Sequence, residues 1–128
     1  MSRIFFILGS LFGALSVALG AYGAHGGARL IELHQAVITF GKASRYNMYH
    51  AFALLAVAWA LDRWPQQKRL LTPAGWLLTA GIVLFSGSLY IQSLSGIHFG
   101  YITPAGGVSF VGGWLLMALA GWKEHKEQ

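Results

Sequence analysis

From Leu70 to Trp122 the chain carries no aspartate, glutamate, lysine or arginine. A water-soluble segment of 53 residues has to clothe at least one face with polar groups, and charged side chains are the usual covering. Lipid removes that need. At 1.5 Å per residue, roughly 20 residues cross the hydrocarbon layer, so this stretch is too long for one crossing and suits two. The break between them is visible. Ser95-Gly96-Ile97-His98-Phe99-Gly100 reads as a turn, and Pro104 fits the first turn of a new helix. The pattern predicts membrane helices over about 74–94, with Pro73 near the start, and about 104–122, followed by a polar tail from Lys123 to Gln128.

The N-terminal half repeats the theme. Ile4 to Ala24 is uncharged and lies between Arg3 and His25, which predicts a first span over about 4–24. A signal peptide is the rival reading, with Arg3 as a short basic leader and Ala18-Leu19-Gly20 or Ala21-Tyr22-Gly23 as the cleavage site. The run is longer than a usual leader core, and its small residues fall at packing spacing, which favours a retained helix. In residues 25–45, Leu30, Leu33, Val37 and Phe40 recur at helical intervals among Arg29, Glu32, His34 and Lys42. This predicts a short amphipathic helix lying at the membrane surface, or else a plain lead-in turn. A second span is expected over about 45–64, ended by Pro65, with a compact polar loop over 66–72. Its uncharged core, Tyr46 to Leu61, is short, so Arg45, Asp62, Arg63 and Trp64 would anchor at the interfaces. The expected architecture is an all-α membrane protein, a single domain over 1–128 with four transmembrane helices in a compact bundle.

Composition supports this and excludes other classes. Only 10% of residues are charged and 55% are hydrophobic, whereas about a quarter of an average soluble domain is charged. With no cysteine, thiolate metal sites and disulfides are excluded. The net charge of +5 comes from short clusters at the ends of apolar runs, not from a basic stripe, so no nucleic-acid partner is expected. Arg3, Arg63, Lys68, Arg69, Lys123 and Lys126 would share one side of a four-span protein, and Arg29, Lys42 and Arg45 the other. The positive-inside rule then places both termini in the cytoplasm.

Inside lipid, close backbone approach replaces water as the force that joins helices. Gly9, Gly13, Ser16 and Gly20 line one face of the first span, and Ala105, Ser109 and Gly113 one face of the fourth. Gly81, Gly87, Gly106 and Gly107 complete the expected packing set. Polar residues gather in the outer half: His25, Asn47, His50, Ser86, Ser88, Tyr90, Gln92 and Thr103. A hydrogen-bonded cluster of His50 with Tyr90, Ser86 or Ser88 is expected, either as a structural clasp or as a binding or proton-handling site. A metal or haem site on His25, His34, His50 and His98 is the weaker reading, since no compact ligand motif such as H-E-x-x-H occurs. There is no G-x-S-x-G, no carboxylate within a span and no phosphate loop. We therefore expect no enzyme, no cofactor and no metal.

Four blocks carry a family resemblance. Gly20-Ala21-Tyr22-Gly23-Ala24-His25 resembles a "GAFGAH" signature. Tyr46, His50 and Ala51 match a "Y-x-x-x-H-A" element. Leu84-Phe85-Ser86-Gly87-Ser88-Leu89-Tyr90 reads as "LFSGSLY". Ile102-Thr103-Pro104-Ala105-Gly106-Gly107 with Gly113-Trp114 is similar to "TP-x-GG…GW". Together these resemble the YgdD-like proteins, the domain of unknown function 423 (UPF 0382) family, along essentially the whole chain. Asn47 stands where Gln is frequent and Ala105 where Ile or Val is usual; neither disturbs the match. The resemblance implies a multi-pass inner-membrane or plasma-membrane protein with its first helix retained, and it implies no activity. His34 and His98 fall outside its motifs, which weakens a four-histidine metal site.

The leading expectation is a non-enzymatic interaction or assembly factor, in contact with membrane lipids, that forms a homo-oligomer or joins a membrane-protein partner. The alternative is a binder or carrier of a lipid, quinone or small hydrophobic molecule in the outer-half cluster.

Overall fold

The computed structural model describes residues 1–25 and 34–127. They form helices α1 (Ser2–His25), α2 (His34–Arg63), α3 (Lys68–Gly81), α4 (Gly87–Ser95) and α5 (Ile102–Glu127). A 3₁₀ turn, Pro65–Gln67, leads into α3. A π-helical turn, Ile82–Ser86, joins α3 to α4, so that Pro65–Ser95 is one continuous rod. No strand occurs among the described residues. Three helices there are long and apolar enough to cross a membrane: Ser2–His25, Pro65–Ser95 and Ile102–Lys126. The helix α2 is long enough, but Lys42, Arg45, Asn47 and His50 dilute its apolar character.

Three boundaries differ from expectation for identifiable reasons. α2 begins at His34, not near Arg45. The helical periodicity seen around Val37 and Phe40 does not serve a separate surface helix over these residues. Phe40 is buried, its ring 5.1 Å from that of Tyr90. The rest of that amphipathic segment, 26–33, lies outside the described residues. The stretch 66–72 is helical rather than a loop, because it contains no glycine to stop a helix and Leu71 is anchored in the core. Pro73 falls inside α3, past its first turn, and leaves the Arg69 carbonyl without its usual helical N–H partner. Finally, α5 runs through the expected tail to Glu127. Gln66 donates a hydrogen bond to Glu124 there, and the Lys126 ammonium lies 4.0 Å from the Trp122 ring centroid. The turn after α4 is where the sequence places it: Gly96 has φ +75° and its N–H bonds the Gln92 carbonyl, a left-handed helix stop.

Adjacent helices run antiparallel. Gly9 faces Ala51 and Leu55 while Gly20 faces Ser44, which sets α1 against α2. Gly106 faces Phe85, Phe110 faces Gly81 and Gly113 faces Leu78, which sets α5 against the rod. The recurrent contact is an aromatic ring seated in a hollow left by a missing side chain: Phe5 at Gly75, Phe40 at Gly23 and Phe110 at Gly81, while at Gly106 the backbone of Leu84 and Phe85 itself comes close. In lipid such seats matter more than total apolar area, since dispersion across a close contact is what distinguishes helix from hydrocarbon tail.

Candidate functional site

The polar side chains in the half of the molecule away from the 3₁₀ turn form a tract of links among four helices. Asn47 Nδ2 donates to the Tyr90 hydroxyl at 3.2 Å, and Tyr90 donates to Ser44 Oγ at 3.2 Å. Ser16 Oγ on α1 donates to the Ser44 carbonyl at 2.7 Å. Thus α1, α2 and α4 are tied at one level. Ser88 donates to the Phe85 carbonyl at 2.9 Å and lies 2.6 Å from Thr103 Oγ1. With the Ser88 proton committed to the carbonyl, Thr103 is the donor of that second bond and links α4 to α5.

His50 does not join this tract. Its Nδ1 lies 2.6 Å from the Tyr46 carbonyl and must carry the proton there, because a carbonyl only accepts. The imidazole stacks on Phe110, with centroids 3.4 Å apart and planes 11° apart, and Trp114 stands edge-on at 6.0 Å. The expected His50 cluster with Tyr90, Ser86 or Ser88 is therefore replaced by an aromatic seat against α5. His25 is exposed at the end of α1 and takes no part in the tract. Among the described residues, no three His, Cys, Asp or Glu side chains gather as metal ligands.

Two buried polar atoms have no hydrogen-bond partner among the described residues: Asn47 Oδ1 and Ser86 Oγ. Both residues are fully enclosed. Ser86 lies one turn before Tyr90 on a rod antiparallel to α2, so it stands level with the turn that follows Asn47. Both orphans thus belong to the α2–rod interface. Leaving such a group unsatisfied costs about 1–3 kcal/mol, so an orphan inside a packed interface is a reason to look for what it meets.

A cleft of about 370 Å³ opens beside Asn47. Its walls include Phe12 and Leu15 of α1, Val83 of the π turn, and Gly87 and Tyr90 of α4. The cause is local. Phe5 clamps α1 to the rod at Gly75, where it also meets Trp76 edge-on at 5.3 Å. Farther along, the π turn swells the rod and Gly87 contributes no side chain, so a wedge stays open. π turns inside α-helices recur at functional sites. The volume falls in the range of small-molecule pockets, ~300–1,000 Å³.

The packing glycines expected from the sequence divide in two. Gly9, Gly81, Gly106 and Gly113 are in tight contact, whereas Gly13, Gly20, Gly87 and Gly107 have ordinary or loose neighbours. Sequence reasoning missed Ser44, the hub that receives Tyr90 and Ser16. Its position one turn before Asn47 on the same helix face was the available signal.

Comparison with known proteins bears on the whole chain. The family described as "Protein of unknown function (DUF423)" matches residues 19–107. The chain is 44% identical over 123 residues to the "UPF0382 membrane protein YwdK" of Bacillus subtilis, covering 94% of this chain and 98% of that protein. It is 42% identical to the "UPF0382 membrane protein SAB0533" of Staphylococcus aureus, covering 94% and 97%. To the "UPF0382 inner membrane protein YgdD" of Escherichia coli it is 37% identical, covering 91% and 87%. No solved structure matches. With three helices fit to cross a bilayer and relatives along nearly its full length that are named membrane proteins, the chain belongs to the UPF0382 (DUF423) family of uncharacterised membrane proteins.

Proposed function

We propose that the protein is a non-catalytic binder of a small amphiphilic molecule, taken from the bilayer into the cleft between α1 and the rod. The observation that carries this reading is Asn47: fully buried, lining an apolar cleft of about 370 Å³, with its Oδ1 unpartnered among the described residues. A structural clasp accounts for Tyr90, Ser44, Ser88 and Thr103, each of which has a partner. It does not account for Asn47 Oδ1 or for the open wedge beside it. The tract holds no carboxylate; Asp62 and Glu124 lie at the opposite end, beyond the apolar segments. An assembly role drew its support from small-residue faces, yet Gly9, Gly75, Gly81, Gly106 and Gly113 are filled by neighbours within the same chain. Those faces argue for a tight monomeric core more than for a partner.

In this reading α2 also crosses the membrane. It runs antiparallel against α1 and against the rod, both fit to span, which makes four crossings. Arg3, Arg63, Lys68, Arg69, Lys123 and Lys126 then form a cytoplasmic basic end with both termini, and the cleft lies in the outer half.

Gly87→Leu tests the binding reading. A side chain at Gly87 meets only the Ile82 carbonyl at 3.9 Å, so the helix accepts it, and Leu is a better helix former than Gly. The added isobutyl group should occupy the cleft. Native mass spectrometry of protein released from nanodiscs made with total bacterial lipid should show a retained small molecule on the wild type and none on Gly87→Leu, at equal or higher melting temperature. Equal retention by both proteins would place the ligand elsewhere and remove the cleft from the argument.

A further inference from the structure

The cleft's own walls limit what enters it, and this step rests on the binding reading above. Its buried floor is Asn47, Ile82, Ser88 and Tyr90. The polar groups among these are engaged within the protein: Asn47 with Tyr90, Tyr90 with Ser44, and Ser88 with the Phe85 carbonyl. Its rim is Leu15, Val83, Ile91 and Ile102, all exposed and all hydrocarbon. A headgroup drawn inside, charged or hydroxylic, would give up its water and find no partner in return. Length points the same way. Along the rod the lining runs from Ile82 to Ile91, a rise of about 14 Å. Ile91 lies one turn before Ser95, where the rod ends and the chain turns back toward α5 at a membrane face. One leaflet of hydrocarbon is about 15 Å deep, half of the ~30 Å core. The wedge thus has the depth of one leaflet. Left empty, its lining would forfeit dispersion contacts on one side.

We propose that the cleft holds one acyl chain of a membrane lipid, extended along the rod, with the headgroup left at the interface beside the turn that follows α4. Binding is then set by the chain and not by the head. Entry is sideways from the bilayer, across the exposed rim between α1 and the rod.

The test uses full-length protein in phosphatidylcholine nanodiscs doped with a phosphatidylcholine that bears a diazirine on one acyl chain, cross-links being mapped by mass spectrometry. Labelling should saturate as the probe fraction rises and vanish in Gly87→Leu. An extended chain advances about 1.2 Å per bond, as a peptide does over its three backbone bonds per residue, so about eleven bonds cover the cleft. A diazirine near the carboxyl end of the chain should therefore mark Ile91, Phe99 and Ile102, and one about ten carbons farther along should mark Phe12 and Val83. Unlabelled phosphatidylglycerol and phosphatidylethanolamine with the same chains should displace the probe as well as phosphatidylcholine does, within about twofold. The depth and headgroup comparisons are made on the wild type, so a misfolded Gly87→Leu does not obscure them. Saturable labelling without the depth gradient, or a headgroup preference of about tenfold or more, would overturn the chain inference and leave the cleft as a site. Labelling that only rises in proportion to the probe, or that is equal in Gly87→Leu, would be annular lipid and would overturn both.

Discussion

A methyl group added at Gly75 would run into three atoms at the tip of the Phe5 ring, and Phe5 is fully buried. At Gly121, on a helix of the same molecule, a methyl group meets nothing within 4 Å. The pair separates packing from helix propensity, because alanine is the better helix former at both positions by about 1 kcal/mol. Gly75→Ala should lose stability by about 1–3 kcal/mol through overpacking, while Gly121→Ala should be neutral or slightly stabilising. Thermal unfolding in one detergent, followed by tryptophan fluorescence, checks both; equal behaviour would mean that the ring seats are not what holds α1 to the rod. Gly9, Gly81, Gly106 and Gly113 were legible as close-packing positions because spacing defines a face on one helix, whereas Gly75 was not singled out. Aromatic partners were not legible, since which ring fills a hollow depends on the register between helices. The same limit explains His50. Its depth followed from its distance from Arg45, but residues three apart on a helix differ by about 60° in direction. Asn47 therefore faces Tyr90 while His50 turns to Phe110.

The rod shows what sequence patterns conceal at the scale of an element. Its ends are marked by Pro65 and Gly96, and the break at Ser95–Gly100 could be read directly. The π turn could not, because it has no residue signature; it is one extra residue absorbed between two faces that must both stay aligned. One face seats Phe5 at Gly75 and Phe110 at Gly81, and the other presents Tyr90 to Asn47. A regular helix over the same number of residues would carry Tyr90 about 100° away from α2. Deletions follow from this. Removing Val83, an exposed residue within the turn, should convert it to ordinary helix and keep both faces in place, giving a folded protein with a slightly altered melting temperature. Removing Leu77, in regular helix before the turn, shifts Gly81 and its Phe110 contact out of register and should yield little folded protein. Size-exclusion profiles and melting curves distinguish the two; the reverse ranking would mean the π turn does not set the register. The early start of α2 was hidden for a related reason, as the polar residues around Phe40 looked like a surface helix when only one ring points inward.

For the whole molecule, the open matter is how many times the chain crosses, and composition and packing press in different directions. Composition qualifies three helices as spans and leaves α2 out. Packing places α2 at the centre, with Leu54, Val57 and Ala58 in the main core and Asn47 inside the polar tract. The four-crossing reading proposed above has a physical basis in the tract: Asn47 and His50 lower the apolar character of α2 but are buried against neighbouring helices, while the exposed Lys42 and Arg45 would lie at its interfacial end. Four crossings put both termini on one side; three would put them on opposite sides. Because the chain contains no cysteine, a single introduced thiol is an unambiguous reporter. Ser2→Cys, Lys68→Cys and His125→Cys should react with a membrane-impermeant maleimide only after cells are opened, while His98→Cys should react in intact spheroplasts. The orientation part of this expectation comes from six basic residues at the α1 start, the 3₁₀ turn and the α5 end. Neutralising Lys68 and Arg69 together should weaken the preference and produce a mixed population, detectable as partial labelling at His98→Cys. Labelling of Ser2→Cys and His125→Cys from opposite sides would instead show an odd number of crossings, remove α2 from the membrane, and leave Asn47 without the lipid-side cleft on which its proposed role depends.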